Sequence, residues 1–176
     1  STSLSNDSLV AAQNVITKEF GKDYYDEPKR YKTKSKGAQE AHEAIRPTDP
    51  GRTPESIKQY LDDNQYRLYN LIWGRFMASQ MTNAIFDKTG ITIETDDGKY
   101  GFQANGSVLK FDGFLKVYPM VFEDRVMPPV KKGEALTAKE ITPTQHFTKP
   151  PARFNEASLV KILESHGIGR PSTYAP

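Results

Sequence analysis

One change of period constrains this chain more than any other feature. Up to Asn83 apolar residues recur three and four apart, and beyond it they alternate with polar ones. In the first stretch Leu9, Ala12, Val15, Ile16 and Phe20 share one helical face, preceded by cap candidates at Ser5, Asn6 and Asp7 and followed by Gly21, which predicts a helix over residues 6–20. Residues 22–37 have no period and read as an extended loop, with Tyr24, Tyr25 and Tyr31 set among cations. Residues 38–45 read as a short helix that stops where Pro47 biases Arg46 away from helical dihedrals. Thr53 before Pro54 opens a helix to about Leu61. Asn64 is expected to cap a longer one in which Leu68, Leu71, Ile72, Arg75, Phe76, Ser79 and Gln80 fall three or four apart and whose apolar face is buried.

In the second stretch Ile85, Thr89, Ile91 and Ile93 alternate with polar neighbours, Asp97-Gly98 marks a hairpin turn, and a return strand begins at Tyr100-Gly101-Phe102. Residues 108–111 and 114–117 continue the β character. Residues 123–133 read as a loop, and 136–147 have room for another strand or two. Asn155 caps a last helix running to about His166 and closed by Gly167. The fold class is therefore α+β: helices first, antiparallel strands next, a helix last.

Charge is more informative by position than in total. The net value is only +2, but residues 28–52 hold seven basic and three acidic side chains, residues 149–176 hold four and two, and residues 53–148 hold 11 and 12. Positive charge thus falls in two separated blocks, which suits either a polyanion or simple solvation. No apolar run approaches the roughly 20 residues of a bilayer span. The absence of cysteine excludes disulfides, thiolate metal sites and a cysteine nucleophile. At 176 residues there is length for one domain, or for one domain and part of another.

Two segments concentrate groups able to hold a phosphate. In Ala41-His42-Glu43-Ala44-Ile45-Arg46-Pro47-Thr48, a helical backbone would set His42 and Arg46 on one side, four residues apart. Arginine offers a fixed fork of donors and histidine a donor whose charge responds to an anion. The other reading pairs these cations with Glu40 or Glu43 as a structural element, and the residues alone leave both open. In Gly167-Ile168-Gly169-Arg170-Pro171-Ser172-Thr173-Tyr174, the glycines permit close backbone approach, Arg170 supplies donors, and Pro171-Ser172-Thr173 looks like a helix start. Neither segment is a known motif of another class: Arg46 stands where His-Glu-x-x-His needs its second histidine, and no Gly-Lys-Ser/Thr completes a P-loop. His146 and His166 are isolated, and Asp62-Asp63 and Asp96-Asp97 are explained by caps and turns.

Those two segments, together with Leu71-Ile72-Trp73-Gly74-Arg75-Phe76-Met77-Ala78-Ser79-Gln80-Met81 and Phe154-Asn155-Glu156-Ala157-Ser158-Leu159-Val160-Lys161, resemble the bacterial type I DNA topoisomerases of the type IA class, in the right order from Ser1 to Pro176. Ser1-Thr2 also resembles the tail of that family's active-site stretch, Tyr-x-Arg-Thr-Asp-Ser. The resemblance implies an isomerase that relaxes negatively supercoiled DNA by transient single-strand cleavage through a 5′-phosphotyrosyl link, strand passage and religation. Its nucleophilic tyrosine and its Mg²⁺ ligands would lie upstream of this sequence, so no catalytic residue and no metal ligand is expected within it. It further implies that His42 and Arg46 support the active site by touching the scissile-strand phosphates, and that Arg170, Ser172 and Thr173 hold single-stranded DNA.

By the same resemblance, residues 1–83 would be most of a helical domain, 84–154 part of an arch, and 155–176 the start of a DNA-groove domain. DNA and the enzyme's remaining domains are the implied partners, without a membrane, in a cytoplasmic, nucleoid-associated setting. Strands parted from their neighbours would favour self-association. The alternative reading is a protein-interaction module with an exposed β edge. A phosphohydrolase built on His42 and Glu43 lacks an accompanying nucleophile or metal-ligand set.

Overall fold

A computed structural model describes residues 2–31, 42–169 and Thr173, which fall into two compact units. The first comprises the described residues up to Pro128. It opens with helix α1 (Asn6–Glu19), whose N-cap Ser5 accepts the Ser8 amide and whose inner face buries Leu9, Ala12 and Ile16. Gly21, at φ 102°, turns the chain out of it into a single 3-10 turn, Lys22–Tyr24. Helix α2 (Pro54–Ile57) begins on a Thr53 cap with proline at its first position, and continues as a 3-10 turn, Lys58–Tyr60.

Helix α3 (Asp63–Gln80) starts two residues earlier than expected from Asn64. Asp62 accepts the Asn64 and Gln65 amides while the Gln65 side chain returns to the Asp62 N–H, a complete capping box. The buried face overlaps the expected one only in part: Phe76 and Gln80 face inward as expected, joined by Trp73 and Met77, whereas Leu68 and Leu71 are exposed. Two apolar stripes compete on this helix, and the one with the larger ring and thioether surface removes more area from water. It packs on α1 to form a core of Ala12, Ile16, Trp73, Phe76, Met77 and Met81.

The change of period after Asn83 corresponds to an antiparallel pair, β1 (Ile85–Glu94) and β2 (Gly101–Phe111), with Ile91 opposite Ala104 and Ile93 opposite Phe102. Gly98, at φ 67°, lies in the connecting turn. Residues 114–117 are not β. They lie in or beside a 3-10 turn, Gly113–Lys116, because Gly113 at φ 49° swings the chain back under α3. An ideal Cβ on Gly113 would lie 2.6 Å from the Thr82 and Asn83 carbonyl oxygens, so only glycine passes there. Past β2, Arg125 makes a bridge to Ser107.

The second unit, described from residue 129 onward, has no strand over 136–147, contrary to expectation. That segment alternates weakly and finds no ladder partner among the described residues. Helix α4 (Glu156–Ser165) follows a capping box of Asn155 with Ser158, and Gly167 at φ 69° closes it as expected. The structure is thus α+β, as read from the sequence, with one two-stranded sheet among the described residues.

Candidate nucleic-acid interface

The segment carrying His42 and Arg46 is not helical from residue 42 on. The Ala44 N–H, which a helix would spend within its own turn, donates instead to the Ser3 carbonyl at 2.8 Å. Outside a helix a four-residue step no longer imposes the close pairing of His42 and Arg46 that helical geometry would. A short alanine-containing stretch without a cap has little intrinsic helicity to oppose this, and Pro47 disfavours it further.

Glu43 organises the segment. Its Oε1 accepts the Ser5 N–H at 2.8 Å and Arg46 Nε at 2.7 Å, while Oε2 accepts Arg46 Nη2 at 3.1 Å. The remaining observed Arg46 bond runs from Nη1 to the Pro47 carbonyl, 3.0 Å. The Arg46 hydrogen bonds, with the Ser5 amide, hold the Glu43 carboxyl down to about 2, and the same pair raises the Arg46 pKa. Arg46 keeps 23% of its side chain exposed, His42 is exposed, and Pro47 is buried. The ion-pair reading of the sequence is therefore present in the fold, with Glu43 as the partner of Arg46.

Beyond Arg46 the chain is pinned to α3. Trp73 Nε1 donates to the Pro50 carbonyl at 2.9 Å, and the Tyr69 hydroxyl donates to the Arg52 carbonyl at 2.7 Å. Asp49 accepts the Gly51 amide at 2.9 Å and pairs with Arg52 at 3.7 Å. Beneath them opens a cavity of about 390 Å³ walled by Thr48, Tyr60, Leu61 and Tyr69.

The basic loop ahead of this segment is used differently residue by residue. Lys29 puts its ammonium on the Met81 carbonyl, just past the end of α3, where the helix dipole favours a cation. Arg30 donates to Asn6 Oδ1, and the Tyr31 hydroxyl to the Ser79 carbonyl at 2.8 Å. In the sequence these cations form one block, with nothing to separate the structural Lys29 from the rest. A lysine following a helix end by contact in space leaves no local signal.

Of the other candidates, Thr173 is exposed with helical backbone, while Arg170 and Ser172 lie outside the described residues, as does the helix start expected at Pro171. The Ser5 amide is the site component that the sequence did not single out: the three-residue spacing of Glu43 and Arg46 is visible, the Ser5 contact across 38 residues is not. Among the described residues no three of His, Asp and Glu converge as metal ligands, and no helix is long and apolar enough to cross a membrane.

A family of proteins described as DNA topoisomerase matches residues 1–176. DNA topoisomerase 1 of Salmonella typhimurium is 52% identical over 179 residues, covering 99% of this chain and 20% of that protein. The Rickettsia felis enzyme of the same name is 49% identical, with 98% and 23% covered, and that of Helicobacter pylori 44%, with 100% and 24%. Full-length topoisomerase I from Thermotoga maritima superposes with a TM-score of 0.80 at 39% identity, over 99% of this chain and 28% of that one. The chain thus spans between a fifth and just over a quarter of these relatives' length, and by a match along its entire length it belongs to the DNA topoisomerase family.

Proposed function

We propose that this chain supplies single-stranded DNA contacts and gate structure to a type IA topoisomerase, an isomerase that relaxes negatively supercoiled DNA. In that enzyme a tyrosine hydroxyl outside this sequence attacks a phosphodiester, forms a 5′-phosphotyrosyl link and releases a 3′-hydroxyl, which reverses the step after strand passage. His42 and Arg46 contact phosphates of the cut strand. Arg170, Ser172 and Thr173 hold an unpaired stretch elsewhere. Mg²⁺ acts in the whole enzyme. We place its ligands outside this sequence, and no step here runs through it.

The observation that carries this reading is the Arg46 guanidinium, clamped along one edge by Glu43 at 2.7 and 3.1 Å and still partly exposed, in a chain that matches the family from end to end. A guanidinium held this way is a preorganised anion donor. Binding is read by fluorescence anisotropy of a labelled oligonucleotide at several salt concentrations. The expected dissociation constant is about 10⁻⁴–10⁻⁶ M, weakening as salt rises, with Arg46→Ala and His42→Ala weaker still. Affinity indifferent to salt and to both substitutions would favour the interaction-module reading. The chain alone relaxes no plasmid with or without Mg²⁺, and relaxation by it would overturn the placement of the nucleophile.

A further inference from the structure

Arg46 and the start of α1 are joined through one carboxylate. Glu43 Oε1 takes the Ser5 N–H at 2.8 Å and Arg46 Nε at 2.7 Å, and beside it the Ala44 N–H binds the Ser3 carbonyl at 2.8 Å. Ser5 is itself the N-cap of α1, whose Ser8 hydroxyl stands 3.5 Å from the same oxygen. Two hydrogen bonds between distant parts of the chain thus fix the backbone of residues 3–5 against residues 43–44, and the guanidinium is attached to that junction.

The arginine is held side-on. Its Nε and Nη2 face Glu43 and one Nη1 hydrogen faces the Pro47 carbonyl. Arginine carries five N–H donors and the observed bonds use three, so two remain, one of them the second Nη2 hydrogen, which lies on the end-on edge between the two Nη atoms and is directed away from the carboxylate. That edge has the spacing of two phosphate oxygens. Side-on anchoring by a carboxylate therefore selects which edge is presented and removes the rotamer freedom that a phosphate would otherwise have to freeze.

We propose that Glu43 is a positioning residue that aims the end-on edge of Arg46 at a DNA phosphate and locks it to the backbone of residues 3–5; this rests on Arg46 being a phosphate donor. The opposite expectation is simple electrostatics. A carboxylate beside an arginine cancels its charge, so removing it would strengthen binding to a polyanion. The two accounts differ in sign.

The experiment measures single-stranded oligonucleotide affinity at several salt concentrations for the 176-residue chain and for Glu43→Gln, Glu43→Ala, Arg46→Ala and the Glu43→Gln/Arg46→Ala double variant. The expected result is that Glu43→Gln weakens binding about threefold or more although it removes a negative charge, and that the double variant is no weaker than Arg46→Ala. The salt slope should also fall by about 0.7, as for one lost single-strand phosphate contact. The slope moves only if a contact is lost and not if the folded fraction merely drops. Glu43→Gln retains an acceptor for the Ser5 amide, so it keeps the test available if Glu43→Ala fails to fold. Binding by Glu43→Gln equal to or tighter than wild type, or losses that multiply in the double variant, overturn the proposal while leaving Arg46 as a donor. Wild-type binding by Arg46→Ala overturns the donor reading itself, and the proposal with it.

Discussion

Gln80 and Lys29 exchange two hydrogen bonds of 3.0 Å, the Lys29 amide donating to Gln80 Oε1 and Gln80 Nε2 donating to the Lys29 carbonyl. The side chain of a helix residue thus completes the backbone of a loop residue 51 positions away, and it does so almost fully buried, at 1% exposure. Gln80→Leu would leave both backbone groups of Lys29 unpaired in an apolar setting, at an expected cost of about 2–3 kcal/mol. Urea unfolding followed by circular dichroism measures it, and the loop should exchange its amide hydrogens faster than α1.

Acid should act through Glu43. Its carboxyl sits at about 2 in the folded chain against 4.5 ordinarily, held there chiefly by the Arg46 hydrogen bonds and then by the Ser5 amide, with Asp7 also acting on Arg46. A depressed folded-state value stabilises the fold above about 4.5, and the gain drains away as pH falls toward 2. Melting temperatures of wild type and Glu43→Gln should therefore be separated at pH 6 and converge over that window. A constant separation down to pH 2 would contradict the assigned cause.

Legibility in the sequence followed the range of the interactions. Helix α1 was readable because its cap, apolar face and glycine stop lie within 16 residues of one another, Ser5 to Gly21. The start of α3 reads two residues late from the sequence because Asp62, Asp63 and Asn64 are all competent caps, and the side chain of Gln65 returning to Asp62 decides between them. Residues 114–117 carry apolar side chains suited to a strand. What prevents one is the left-handed Gly113 meeting Thr82 and Asn83, a contact made 30 residues away.

The site divided along the same line. His42 and Arg46 could be picked as anion-binding types, and Glu43 as a partner, from local spacing alone. The non-helical backbone could not, because it depends on the Ser3 carbonyl capturing the Ala44 amide at a separation of 41 residues. Donor chemistry is written in residue types, whereas the edge a donor presents is set by tertiary contacts.

Trp73 offers a direct probe of how firmly the Arg46–Arg52 stretch is held. It is the chain's one tryptophan, 6% exposed, and its indole N–H reaches the Pro50 carbonyl at 2.9 Å. Trp73→Phe keeps an aromatic ring in the core but leaves that carbonyl unpaired and a small void, costing about 2 kcal/mol. Differential scanning calorimetry should show the lower midpoint, and oligonucleotide affinity should fall modestly as Arg46 loses its support.

Gly106 marks where the hairpin accepts its third segment. Arg125 and Ser107 exchange backbone hydrogen bonds of 2.8 and 3.0 Å, and an ideal Cβ on Gly106 would stand 2.6 Å from the Arg125 carbonyl and 2.4 Å from Met127 Cγ. The methionine can swing aside, but a backbone oxygen can yield only by moving the segment, so Gly106→Ala should break the bridge without disturbing the ladder between β1 and β2. Hydrogen exchange at the amides of Ser107 and Arg125 should then accelerate at least tenfold, while Ile91 and Ile93 keep wild-type rates. Because the bridge lies apart from Glu43 in the fold's hydrogen-bond network, oligonucleotide affinity should be unchanged, and a loss of affinity would show that the third segment takes part in holding the strand.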